Sequence, residues 1–177
     1  MNALSMTTRR SMQPPAATPL PSIVGLGGAL AGLAGGAAMS GSAALLATSY
    51  GYDVWFQLKV VASLALGPAA LAQIGFVTIP VLVGLLIHLL VAAMLGAGFE
   101  VATRRWLRLP SDYGMSAISG LSFGLLTWLV AYLLVPAVAP YLMAVAAPAF
   151  IIQHLVYGTV TGVLLGKLWP RPYAASV

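Results

Sequence analysis

His88 and His154 are the only imidazoles in the chain, and each sits inside a long apolar run. Imidazoles on two helices can ligate a haem iron from both sides, hydrogen-bond across a helix interface, contact a quinone or lipid, or pass a proton. Counted inward from predicted helix starts at Pro80 and Ala149, both lie roughly 8 to 12 Å below the same surface at 1.5 Å per residue. They are therefore placed to face each other, with Gly84 and Gly158 leaving room beside the rings. Interhelical hydrogen bonding, with Gln153, Tyr157 or a backbone carbonyl as partner, is the plainer use of the pair and the preferred one. The cofactor alternatives for the same two residues are haem b and quinone.

Other chemistry is sparse. Of the three acidic residues only Glu100 can enter a span, while Asp53 and Asp112 fall at edges. A coupled carrier places a carboxylate well inside the membrane, so a small-solute transporter or channel component is the third reading. No Ser–His–Asp order, HExxH, Walker loop or dinucleotide fingerprint occurs. The Gly25-Leu26-Gly27-Gly28 run has no βαβ context around it. The lack of cysteine excludes disulfides and thiolate metal sites, and no catalytic residue or metal ligand is assigned. The net charge of +5 comes without a basic face interleaved with aromatics, so nucleic acid is not expected as a partner.

These residues need membrane helices to hold them. With 60% hydrophobic and 6% charged residues among 177, and a mean hydropathy of +0.98, the chain cannot cover a soluble fold with polar surface. Its apolar runs reach the roughly 20 residues that span a bilayer, and lipid tolerates such runs only with the backbone satisfied internally. The reading is an all-α membrane protein, a four-helix bundle over residues 23–169 with spans near 24–48, 80–101, 115–135 and 149–168. Residues 1–22 read as a flexible, proline-rich cytoplasmic tail rather than a signal peptide or presequence, and residues 170–177 as a short C-terminal tail.

Residues 53–73 tempt a fifth crossing, and charge decides against it. Without that crossing, Arg9, Arg10, Arg104, Arg105, Arg108, Lys167 and Arg171 all lie on one side and only Lys59 opposite, as the positive-inside rule asks. Residues 54–66 then form an interfacial or shallow re-entrant helix, and both termini are cytoplasmic in a cell inner membrane. Arg104, Arg105 and Arg108 serve topology and can attract anionic headgroups. Glu100 and Arg104, four apart at a wetted helix end, allow an ion pair worth only tenths of a kcal/mol.

Small residues at spacing four define ridges: Gly28, Gly32, Gly36 and Ser40; Gly84, Ala92 and Gly96; Ser116, Gly120 and Gly124; Gly158, Gly162 and Gly166. Ridges of this kind let helix backbones approach closely. Trp128 and Tyr132 continue the third, to fill space beside a neighbouring helix or to touch a lipid or quinone tail.

Four segments together carry a family likeness: AGLAGG (31–36), IHLLVAAMLGAGF (87–99), GLSFGLLTWL (120–129) and HLVYGTVTGVLLG (154–166). They resemble small bacterial YagU-like inner-membrane proteins. The resemblance implies a four-helix membrane protein with His88 and His154, and Gly158 beside the latter, as positions of interest, and it implies no reaction. The leading expectation is a non-catalytic packing or accessory subunit of a larger membrane complex, in contact with membrane lipids and with a membrane-protein partner or a second copy of itself.

Overall fold

The computed structural model describes residues 23–110, 112–144 and 147–168. Among these residues there are five α-helices and no strand: α1 Leu26–Ser49, α2 Phe56–Leu66, α3 Thr78–Val101, α4 Tyr113–Val138 and α5 Ala147–Leu168. All but α2 are long and apolar enough to cross a membrane. The 11 residues of α2 reach roughly 16 Å, about half of a hydrocarbon core. The chain thus forms the expected all-α, four-span bundle with one short extra helix. The tails at 1–22 and 170–177 and Trp169, the last residue of the expected bundle, lie outside the described residues.

Glycine positions set the order of the helices. Helix α1 lies between α3 and α5, α4 packs on α5, and α2 packs on α3. A Cβ added at Gly28 would overlap the Gly96 carbonyl oxygen, one at Gly32 that of Ala92, and one at Gly96 that of Gly28. Chain numbers rising on α1 meet numbers falling on α3, so the two run antiparallel with their backbones in contact. Gly36 continues the seam against Ala92 and His88. The same device joins α4 to α5, where a Cβ at Gly120 would overlap the Gly158 carbonyl, at Gly124 that of His154, and at Gly162 that of Ser116.

The ridges therefore pack on one another within the chain. Three positions differ from expectation, the first being Gly158, which opens no space beside His154 because a Cβ there would overlap the Gly120 carbonyl oxygen on α4. Gly84 likewise does not open space beside His88, because a Cβ there would overlap the carbonyl oxygen of Leu58 on α2. Ser40 is only half-buried, and its Oγ has no partner among the described residues. Gly166 is buried near the end of α5. A further contact, Gly35 against Tyr157 and Thr161 of α5, sits one residue off the predicted ridge and makes α1 the centre of the bundle.

Element ends follow local chemistry. Asp112 caps α4 by accepting from the Met115 N–H at 2.9 Å, which satisfies one of the orphan donors of a helix start. The expected span stops at residue 135, just before Pro136, but α4 continues through that proline to Val138. A proline so close to the C-terminus removes one hydrogen bond without interrupting a long ladder. Helix α3 passes into a π-helical turn, Ala102–Trp106, which carries Arg104 round toward the other helix ends.

At the opposite end, α2 is pinned by Lys59, whose side chain is 2% exposed. Its ammonium donates to Asp53 Oδ2 at 2.7 Å, to the Gln73 carbonyl at 2.8 Å and to the Gly75 carbonyl at 3.3 Å, using all three of its protons. The opposite-side lysine of the sequence pattern is thus a structural bolt between the segments flanking α2. Burial pushes the Asp53 carboxyl up, but the hydrogen bonds from Lys59 and from the Gly75 and Trp55 backbone, with the Lys59 charge, outweigh it and hold Asp53 below its ordinary 3.8. A depressed carboxyl stabilises the fold fully above its unfolded pKa and loses that contribution as pH falls through the lower folded value. Acid titration of the detergent-solubilised protein should therefore loosen this end below about pH 4. Asp53→Asn should flatten that acid limb of a melting-temperature profile, and an unchanged limb would refute the assignment.

Candidate functional site

The two histidines converge on one cleft. Its walls are α3 (Ile87, Val91, Leu95) and α4 (Thr127, Ala131, Val135), and its back is Met39 of α1 with His154 and Tyr157 of α5. Gln57, Val61 and Leu64 of α2, at the i, i+4, i+7 spacing of one helix face, line it as well. Helices α3 and α4 meet through Phe99 and Phe123, with ring centroids 4.7 Å apart, and the cleft opens beyond that contact. Val91 and Leu64, which line it, are 47% and 42% exposed, so the cleft is open on that side. The cavity holds about 190 Å³.

Each histidine is oriented by a backbone carbonyl. His88 Nε2 lies 2.9 Å from the Gly36 carbonyl oxygen, and because a carbonyl only accepts, the ring nitrogen donates. This is the expected interhelical bond, made possible by the glycine seam. His154 behaves otherwise: its Nδ1 donates to the Phe150 carbonyl of its own helix at 2.8 Å, and its ring rests edge-on against Phe150, centroids 4.5 Å apart. His154 Nε2 then carries a lone pair and makes no hydrogen bond among the described residues. The interhelical bond from α5 is made instead by Tyr157, whose hydroxyl donates to the Ala92 carbonyl at 2.8 Å. Tyr157 is 2% exposed, and sequence reasoning named it only as a partner for histidine.

Haem b needs two free imidazole nitrogens and space for a flat macrocycle. His88 Nε2 is engaged by Gly36. The cavity is also smaller than the roughly 300–1,000 Å³ of pockets that enclose a drug-sized ligand. A slim amphiphile with its tail left in the bilayer fits these dimensions better. No Asp, Glu, Lys or Arg lines the cleft among the described residues, and none of them forms a cluster of three or more metal-ligating side chains.

A second constellation lies at the other end of the bundle. Glu100 Oε2 accepts from the Gly28 N–H at 2.6 Å, capping α1 from a different helix, since Gly25 at the cap position has no side chain to do so. Glu100 Oε1 accepts from Arg104 at 3.2 Å, and Arg104 donates to the Leu165 carbonyl at 3.0 Å. A carboxylate meets the positive end of α1 and a guanidinium the negative end of α5, as helix dipoles favour. With side chains 13% and 14% exposed, this pair is a clamp on three helices rather than the wetted i, i+4 pair expected. Of the arginine cluster, Arg104 turns inward, while Arg105 and Arg108 are exposed.

No family model, curated protein or solved structure matches this chain. The YagU-like resemblance accordingly rests on the four motifs alone, of which two contain the histidines of the cleft.

Proposed function

We propose that this is a non-catalytic, multi-pass protein of the inner membrane, with the arginine-bearing end cytoplasmic, that takes an uncharged amphiphile from the bilayer into the histidine-lined cleft. The observation that carries the reading is the convergence of His88 and His154 on one cavity whose lining includes the exposed Val91 and Leu64. Laterally open apolar clefts with a few polar groups suit ligands that arrive through the bilayer, and ligand sites between bundle helices have this composition. The cleft lacks the buried carboxylate that a coupled transporter uses. The YagU-like likeness and the charge asymmetry support the membrane and its orientation.

A fatty-acyl probe carrying a diazirine near its tail end, reconstituted with the protein in phosphatidylethanolamine and phosphatidylglycerol vesicles, tests the reading. After irradiation, label should concentrate on Val91, Ala131 and their cleft neighbours, and Val91→Trp should reduce it several-fold while labelling at exposed Leu133 stays unchanged. Label spread evenly over all lipid-facing residues would overturn the proposal.

The accessory-subunit reading keeps one specific support: α4 presents a run of exposed apolar side chains, Leu125, Leu126, Leu129 and Leu133. A neighbouring membrane helix would cover that face. Repeated isolation of the chain from native membranes without a stoichiometric partner would remove this second reading.

A further inference from the structure

We propose that the cleft selects a lipid-soluble hydroxyl compound, docked by its O–H on His154 Nε2, over the matching carbonyl compound or ether. This inference rests on the cleft-binding reading and specifies its ligand. The argument starts from proton positions. Phe150 and Gly36 present carbonyl oxygens to His154 Nδ1 and His88 Nε2 at 2.8 and 2.9 Å, and each contact fixes a proton on the nitrogen concerned. In the neutral rings the other nitrogens, His154 Nε2 and His88 Nδ1, are then acceptors only.

Of these two, Nε2 is the far end of its ring, whereas Nδ1 adjoins its own backbone. His154 Nε2 is therefore the acceptor that a ligand in the cleft can reach. Its residue is 8% exposed and lines the cavity, and the nitrogen has no internal partner to satisfy it. Tyr157 cannot donate to a ligand oxygen, because its proton is committed to Ala92. Thr127 likewise donates to the Gly124 carbonyl at 2.9 Å. A ligand carbonyl or ether oxygen would thus face a lone pair at His154, while a hydroxyl supplies the missing proton.

Gln57 adds a second, independent sign of a ligand. It is 8% exposed and lines the same cavity from α2, and its amide makes no hydrogen bond among the described residues. An amide offers both donors and an acceptor, so it complements the oxygen of a hydroxyl head as well as any neighbouring ester or carbonyl. The His154 and Gln57 side chains both line the cavity, so their unpaired polar atoms are open to a ligand there. Two unpaired groups from α2 and α5 in one apolar cavity mark where a polar head belongs, and the lateral opening marks where its tail leaves.

Such hydroxyls come from two sources in a membrane, an aliphatic alcohol of the acylglycerol type or a phenol of the quinol type. The experiment uses the full chain in nanodiscs and measures dissociation constants for 1,2-dioctanoylglycerol and its methyl ether, and for decylhydroquinone and decylquinone. Wild-type protein should bind the hydroxyl member of at least one pair about three- to tenfold more tightly, the worth of one net hydrogen bond. The pair that shows the larger ratio names the source.

His154→Phe should erase that ratio while keeping affinity for the ether or quinone. Should His154→Phe fail to fold, Gln57→Leu, on the peripheral helix, should lower affinity for the hydroxyl compound by a similar factor. Equal binding of both members of both pairs overturns the hydroxyl inference and leaves the cleft reading standing. Absence of binding by all four compounds overturns the cleft reading itself.

Discussion

Gly32→Leu and Gly162→Leu should each abolish the folded bundle, while Gly41→Leu melts like the wild type. At Gly32 even a Cβ would overlap the Ala92 carbonyl, and at Gly162 that of Ser116, so the obstacle is backbone on a packed helix and no rotamer can relieve it. Gly41, on the same helix as Gly32, has nothing within 4 Å of the corresponding position. Ordinary overpacking costs about 1–3 kcal/mol, and forcing two helix seams apart should exceed the upper end of that range. Fluorescence-detected size exclusion of heated detergent extracts reads the effect. A Gly32→Leu melt matching that of Gly41→Leu would mean that the α1–α3 seam is not as close as described.

Glu100→Gln should destabilise the protein by about 2 kcal/mol, within the range for hydrogen bonds to charged groups. The same carboxylate caps α1 through Gly28 and holds Arg104 against the end of α5. Loss of its charge leaves the guanidinium facing a neutral amide and weakens the cap at once. The effect should be coupled: Glu100→Gln with Arg104→Met should cost less than the sum of the single changes by more than about 0.5 kcal/mol, as for residues in one network. Strict additivity in a denaturation series would show that the two groups act separately.

Much of this architecture could be read from residue types because bilayer physics restricts the choices. Long apolar runs must be helices, and the charges at 104, 105, 108 and 167 against Lys59 argued for four crossings rather than five. The spacing-four glycines marked two of the three main seams, and Asp112 announced its own cap. These signals are local or one-dimensional, so a linear sequence carries them.

The partner of each ridge was not legible. Spacing four says that a helix can be approached, and only the folded chain decides that Gly84 receives α2 rather than clearing space for a ring, or that Gly35 faces Tyr157. Glu100 looked like half of a weak surface pair because its principal partner, Gly28, lies 72 residues away in the chain. The histidines were visible as a pair at similar depth. Which nitrogen of each carries the proton depends on where the Gly36 and Phe150 carbonyls fall, and that depends on helix contacts. Composition and periodicity determined a four-span helical membrane protein, because the solvent leaves the backbone little alternative. Tertiary contacts decided that the ridges close on themselves and leave a histidine-lined opening between α3 and α4, because pairings across the bundle are set by shape at long sequence separation.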